Sequence, residues 1–362
     1  VSLYEERLQR DLGEIRARLD DVSDRVERGV RDAIRAFASH DLRLANLTIL
    51  RDRAVNLQVR RVDRLCHEFV VRHVPSAGHL RFVSSVLRMN VALERVGDYA
   101  AGICRETVRL SQAPAKALVE DAELIGGRAV RVLSQSLSAF REGNEALARA
   151  TSDAVHDVDE AFKHGFHDLV GVGECQECPP RDLFAVLTVL RMLKRVADQA
   201  ENICQHTLFL AVGETKEHKV FRVLFVDERD DCQSQLARAY AEKAFPDAGQ
   251  YTSAGWSPAP EVPSPVIEFL DRAGYPTQDL QPRPVATRDD KGRHYHIIIS
   301  LGGDPRPHLD SIPYLTAVLE WDVGPRPQLV APDATEQLER SLRRISEEMQ
   351  ALMEMLAGPD GG

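Results

Sequence analysis

No run of eighteen apolar residues occurs in the 362-residue chain, so no membrane-spanning helix is expected. No basic stretch followed by an apolar one opens the sequence, and the expected location is the cytoplasm. Cysteine is sparse: Cys66, Cys104, Cys175, Cys178, Cys204 and Cys232. Most stand alone or inside apolar periodic segments, which speaks against a disulfide framework and for reduced thiols. An excess of positive charge is also missing. The formal net charge is -10, which argues against a general nucleic-acid coat and leaves room only for a local basic face. What is present is an apolar content of 43%, enough for ordinary cores, in a length that suits two domains or three packed units.

The two halves follow different rules. Residues 1–213 read as helix after helix. Leu12, Ile15, Leu19, Val22, Val26, Val30, Ile34 and Phe37 form one stripe at helical spacing, with arginine and aspartate opposite. A helix of this length suits a bundle. A second helix is predicted over 41–72, ending near Pro75, and a third from Ser76 to Leu110; Pro114 opens the next block. The pattern then repeats. "LANLTILRDRAVN" at 44–56 echoes "EALARATSDAVHD" at 145–157, and "LERVGDYAAGIC" at 93–104 echoes "LKRVADQAENIC" at 193–204. Asp98 aligns with Asp198 and Cys104 with Cys204, giving two three-helix units, about 1–112 and 115–213. One unit could bury its own stripes, so the duplication points to a two-fold surface.

From Lys219 onward the chain reads as α/β. "HKVFRVLFVDE" and "HYHIIISLG" are short, branched apolar runs of the kind found in buried parallel strands. Proline and glycine crowd 256–286, which implies loops. The α/β domain is expected over 219–330. A C-terminal helix is expected over 331–358, with Asp333 and Glu336 in capping-box spacing, a stripe of Leu338, Leu342, Ile345, Met349 and Leu352, and a fraying "GPDGG" tail. The predicted fold class is therefore multidomain: all-α tandem three-helix bundles followed by an α/β domain with a parallel sheet.

Glu94 and Asp98 stand four apart on the third helix, beside apolar residues. Paired carboxylates there need a cation or an arginine between them. Salt bridges to Arg88 or Arg95 are the plainer alternative. The second repeat has Lys194 and Asp198 at the matching positions, so an ammonium can replace a cation. Glu160 and His164 are also four apart and could face the same seam, although an isolated histidine is more often simply hydrogen-bonded.

"DRAVNLQVRRVDRLC" at 52–66, "PSAGHLRFVSSVLRMNVALERVGDYA" at 75–100 and "LFAVLTVLRMLKRVADQAENIC" at 183–204 resemble the PhoU family of phosphate-signalling regulators. The resemblance implies two three-helix bundles carrying Glu/Asp-x-x-x-Asp motifs that bind iron, zinc or other cations such as magnesium. Carried over, the motifs fall on Val59 and Asp63, Glu94 and Asp98, Glu160 and His164, and Lys194 and Asp198. Two motifs have lost an acid and a third ends in histidine. The resemblance also implies a phosphate transporter subunit or a sensor histidine kinase as partner. It implies a cytoplasmic protein that can sit peripheral to the inner membrane through that partner, with a homodimer as a further option.

Two local signals remain. Cys175 and Cys178 form "CQEC" before Pro179-Pro180, a lone pair that offers weak zinc spacing and reads as a plain loop. "VLFVDERDDCQSQLARAYAE" at 223–242 is a strand, loop and helix, the architecture that presents N–H groups to an anion. Its loop holds Asp227, Glu228, Asp230 and Asp231 with one Arg229. Such a loop repels phosphate. It is expected to be a solvated turn, or to meet a divalent cation or a basic partner.

The segment resembles the low-molecular-weight protein tyrosine phosphatase and arsenate reductase family, as do "SAG" at 253–255, "HIIISLGGDP" at 296–305 and "WDVG" at 321–324. In that resemblance the nucleophilic cysteine falls on Asp227 and the phosphate-clamping arginine on Gln233, while Ser234 is kept. Cys232 is not at the nucleophile's position and is expected to pack at the helix start. Asp304 in "GGDP" is the only obvious substitute for a general acid, and equally reads as the cap of a turn. The expected function is a non-enzymatic regulator of phosphate uptake or signalling with a degenerate phosphatase-like domain. The alternatives are an enzyme working through Cys232 or Asp227, an aspartyl-phosphate acceptor at Asp227, and a structural scaffold.

Overall fold

A computed structural model describes residues 3–175, 178–213, 220–289, 294–309, 312–313 and 316–357. The chain divides into two compact units, Val1–Lys216 and Glu217–Gly362. The "GPDGG" tail and the central residues of "CQEC" lie outside the described residues.

The first unit is all helical: α1 (Leu3–Ala38), α2 (Leu42–Arg72), α3 (Ala77–Arg109), α4 (Lys116–Glu142), α5 (Glu145–Glu174) and α6 (Pro180–Val212). The stripe on α1 is buried from Leu12 to Val30. Each large apolar side chain so covered contributes about 1.5–3 kcal/mol. Helices α1 to α3 form one bundle and α4 to α6 the other, joined where α3 meets α6 and α1 meets α4. Arg141 on α4 clamps that join by donating to Asp20 and Asp24 on α1, at 2.8 and 2.5 Å. Side-chain caps start three helices. Asp41 accepts from Leu44 N–H, Ser76 from His79 N–H and Asn144 from Leu147 N–H. Gly143, at φ 61°, ends α4 in the left-handed conformation that glycine tolerates best.

The caps revise the internal repeat. Asp41 and Asn144 are 103 positions apart, and so are Thr48 and Thr151, whose hydroxyls donate to Leu44 and Leu147 carbonyls in the same way. The alignment read from sequence spaces the second helices by 101. Two residues turn a side chain by about 200° on a helix, so the assignment of faces on α5 changes. On the third helices the spacing of 100 stands, with Cys104 and Cys204 both buried.

The second unit contains a four-stranded, fully parallel sheet in the order β2-β1-β3-β4. Its strands are β1 (Phe221–Asp227), β2 (Gly249–Gly255), β3 (Ile297–Ser300) and β4 (Ala317–Glu320). Helix α7 (Gln233–Ala244) follows β1 and α8 (Ser264–Arg272) follows β2. Helix α9 (Ala334–Ala357) packs on α7 through Leu338, Ile345, Met349 and Leu352. The fourth strand ends at Glu320, so "WDVG" lies just beyond it, although Trp321 and Val323 are core residues. Asp333 receives Gln337 Nε2 on its carboxylate and Gln337 N–H on its carbonyl. No helix of the described residues is long and apolar enough to cross a membrane.

Candidate functional site

The turn between β1 and α7 is not a solvated acidic surface. Asp227, Asp230 and Asp231 are buried, and only Glu228 and Arg229 face water. Asp227 ends β1 and aims its carboxylate into the loop. Its Oδ1 accepts from Arg229 N–H at 3.0 Å and Asp230 N–H at 2.6 Å, and its Oδ2 accepts from Ser234 N–H at 2.9 Å. Three main-chain donors that could cradle an anion are thus engaged by a carboxylate of the protein itself.

The remaining side chains brace that arrangement. Asp230 adopts φ 50° and is fully buried. It accepts from Ser234 Oγ at 3.0 Å and Arg283 N–H at 2.8 Å. Burial nevertheless pushes its pKa up to about 7. Asp231 accepts from Arg326 at 2.8 Å and Arg229 at 3.1 Å. Gln233 donates to Gly324 carbonyl at 3.1 Å. Gln235 donates to Asp230 carbonyl at 2.9 Å. Gly255 ends β2 against the loop; a Cβ there would fall 2.8 Å from Asp230 N, so only glycine fits without a shift. Cys232 packs at the helix start, 1% exposed, and burial pushes its thiol up to about 12. Asp304 is exposed and accepts from Arg306 N–H at 3.0 Å, a turn contact.

The acids of the helical unit are differently placed. Glu94 is half-buried and Asp98 exposed on α3. Asp52 on α2 has its carboxyl pKa raised by burial and then by Asp98, which identifies these two as neighbours. Asp52 Oδ1 and Asn56 Oδ1 are buried without a donor, while Asn56 Nδ2 reaches Asp52 Oδ2 at 3.3 Å. Asp52 also borders a cavity of about 260 Å³ lined by Arg25, Arg28, Asp32, Arg51 and Gly97. Asp63 is held instead by Asn90 Nδ2 at 2.8 Å. On α2 it is therefore Asp52, bonded by Asn56 four residues on, that feels Asp98. The sequence contained the clue, since "DRAVN" opens the stretch that carries the resemblance.

In the second repeat, Lys194 Nζ bridges Asp198 at 2.9 Å and Asp159 at 3.0 Å. Burial depresses the lysine pKa, but the two carboxylates outweigh it and the net shift is upward. Asp159 occupies the position of Asn56 once the 103-residue spacing is applied. Glu160 pairs with Lys163 at 2.7 Å, and His164 is exposed, within electrostatic reach of Asp121 on α4. These two are not gathered with Lys194 and Asp198. Among the described residues, no three histidine, cysteine, aspartate or glutamate side chains converge as a metal-holding group. Cys175 and Cys178 are free thiols, the first exposed.

Comparison with known proteins bears on the helical unit. The PhoU domain family matches residues 19–107 and 123–207. A "Phosphate-specific transport system accessory protein PhoU homolog" of Pseudomonas aeruginosa is 28% identical over 214 residues, covering 58% of this chain and 86% of that protein. The Escherichia coli "Phosphate-specific transport system accessory protein PhoU" is 27% identical over 213 residues, covering 58% and 86%. The crystal structure of PhoU from Pseudomonas aeruginosa superposes with a TM-score of 0.54 at 26% identity, over 57% of this chain and 99% of that one. A thioredoxin-dependent arsenate reductase of Corynebacterium glutamicum reaches a TM-score of only 0.31 at 24% identity, over 44% of this chain and 75% of that one, too weak to assign the second unit. The helical unit of this chain, built from two three-helix repeats, is the part that is similar to the PhoU domain.

Proposed function

We propose that the protein regulates phosphate uptake or phosphate signalling through protein partners, and that its second unit is a catalytically silent relative of the phosphatase and reductase fold. The PhoU domain carries the first part of this reading. A phosphate transporter subunit or a sensor histidine kinase is the partner. The protein works in the cytoplasm, at the inner face of the membrane when that partner is engaged. The Asp227 carboxylate supports the second part. It fills the donor cradle with three hydrogen bonds, and a hard, stabilised carboxylate is a poor nucleophile. Cys232, raised to about 12 by burial, is a thiol and not a thiolate at neutral pH.

A divalent or ferric ion, such as iron, zinc or magnesium, belongs in the first repeat under this reading. Asp52 and Asn56 offer buried oxygens with no donor, and Asp98 adds a second carboxylate. These oxygens suit a hard cation. The second repeat substitutes the Lys194 ammonium for the ion. Glu94 flanks the first-repeat position, whereas Asp63 and Glu160 have other partners.

The test is co-purification of the tagged full-length chain from its own cells under high phosphate. Recovery of a phosphate transporter subunit or sensor kinase is expected. Turnover of a small aryl phosphate or of arsenate, abolished by Asp227→Ala or Cys232→Ser, would overturn the reading.

A further inference from the structure

One helix face differs in kind from the rest of the chain. Helix α2 carries seven arginines against three acids, in a protein of net charge -10. Leu50, Leu57 and Val71 on it are 73%, 59% and 86% exposed. Positions 50, 57, 64 and 71 fall seven apart, and 53 and 60 lie one turn to the side, so Arg53, Arg60 and Arg64 share this face with the three apolar residues. Those arginines are exposed, and none makes an ion pair among the described residues. Glu68, at the edge, is already bonded to Arg72 at 3.0 Å. From Leu50 to Val71 the stripe runs about 32 Å along the helix.

The second repeat serves as an internal control. At 103 residues further on, α5 presents Asp153, His156, Glu160, Lys163, His167 and Glu174 where α2 presents Leu50, Arg53, Leu57, Arg60, Arg64 and Val71. The equivalent position in the other bundle is thus filled by polar side chains. Neither leucine nor a row of unpaired arginines is required there by the fold.

We infer that this face of α2 docks directly onto an anionic phospholipid surface. This goes beyond the partner-mediated reading and does not depend on it. Arginines and leucines interleaved along one long helical face, with no free acid among them, match a plane of phosphate groups over a hydrocarbon layer. The guanidinium groups meet lipid phosphates while Leu50, Leu57 and Val71 enter the headgroup boundary. A second copy of the chain applied through the same face would set arginine against arginine. A flat anionic surface also explains why the stripe extends along most of the helix and not around it.

The test uses the full-length protein with vesicles of phosphatidylcholine alone and of phosphatidylcholine mixed with phosphatidylglycerol. Sedimentation with the mixed vesicles is expected, weakening steeply as salt rises, with no sedimentation with phosphatidylcholine alone. Each of Arg53→Gln, Arg60→Gln and Arg64→Gln should weaken binding about five-fold. Leu50→Ser with Leu57→Ser should weaken it further, and Lys163→Gln on α5 should leave it unchanged. All these positions face solvent, and far-UV circular dichroism checks that the variants stay folded. Absence of binding to the anionic vesicles at low salt overturns the inference, as does binding that the arginine variants leave intact. A wild-type dimer that Leu50→Ser with Leu57→Ser splits would overturn it in favour of a second copy.

Discussion

Replacing Asp227 by alanine removes one carboxylate and leaves three main-chain N–H groups, of Arg229, Asp230 and Ser234, without their acceptor. A buried donor left unsatisfied costs about 1–3 kcal/mol. Asp227 is 8% exposed and Arg229 beside it faces water, so solvent can reach part of the gap. The low end of the range applies, about 3 kcal/mol in total. Both tryptophans, Trp256 and Trp321, lie in the second unit, so their fluorescence in a urea titration follows that unit alone. The wild-type unit should be insensitive to inorganic phosphate. The Asp227→Ala variant should regain stability as phosphate is added, by about 2.7 kcal/mol at one hundred times its dissociation constant, because an oxyanion can then take the vacated donors. A loss below about 0.5 kcal/mol, within the ordinary effect of a surface substitution, would refute the picture of a carboxylate-filled cradle. So would a wild-type unit that phosphate stabilises as strongly as it stabilises the variant.

Asp230 gives a pH dependence of definite sign. Its folded pKa of about 7 lies above the unfolded value near 3.9, so the folded state holds the extra proton between them. Stability of the second unit should fall as pH rises from about 4 to about 7, by up to about 4 kcal/mol, and then level; Asp230→Asn should flatten that slope in the same urea titration. Lys194→Met strands Asp159 and Asp198 together, and a loss of about 1–2 kcal/mol in the helical unit is expected by circular dichroism. Thiol labelling in the native state should modify Cys175 and Cys178, and leave Cys66, Cys104, Cys204 and Cys232 unreacted until denaturant is added. Elemental analysis should find iron, zinc or another hard cation in the purified protein, reduced by Asp52→Ala with Asp98→Ala and unaffected by Asp63→Ala.

The helices were readable because their signals are local. The stripe from Leu12 to Phe37, the cap at Ser76 and the proline at 114 act within a few residues of themselves. The parallel sheet was readable from the branched runs at 223–226 and 297–299 for the same reason. The exact pairing of the repeats was not. "DRAVN" and "DAVHD" share their leading aspartate at a spacing of 101, while the caps at Asp41 and Asn144 set the helices 103 apart, and those two residues decide which side of α5 faces α6. This is why Glu160 and His164 looked like partners of Asp198, when Asp159 holds that place. The acidic turn misled for another reason. Four acids in five residues suggest a solvated loop, and nothing in that string shows that the turn folds its own N–H groups onto Asp227, or that Arg326 and Arg283 N–H arrive from elsewhere to meet Asp231 and Asp230. The sequence shows an aspartate at 227 and a glutamine at 233. That the Asp227 carboxylate takes three main-chain N–H groups of its own turn was visible only in three dimensions.

Control of phosphate uptake is tested most directly by measuring phosphate transport at high external phosphate in cells of the native host lacking this gene. Uptake should rise in the deletion strain and return to its low level when the wild-type chain, or the chain with Cys232→Ser, is restored. Uptake that is unchanged by the deletion would contradict a regulatory role in phosphate transport.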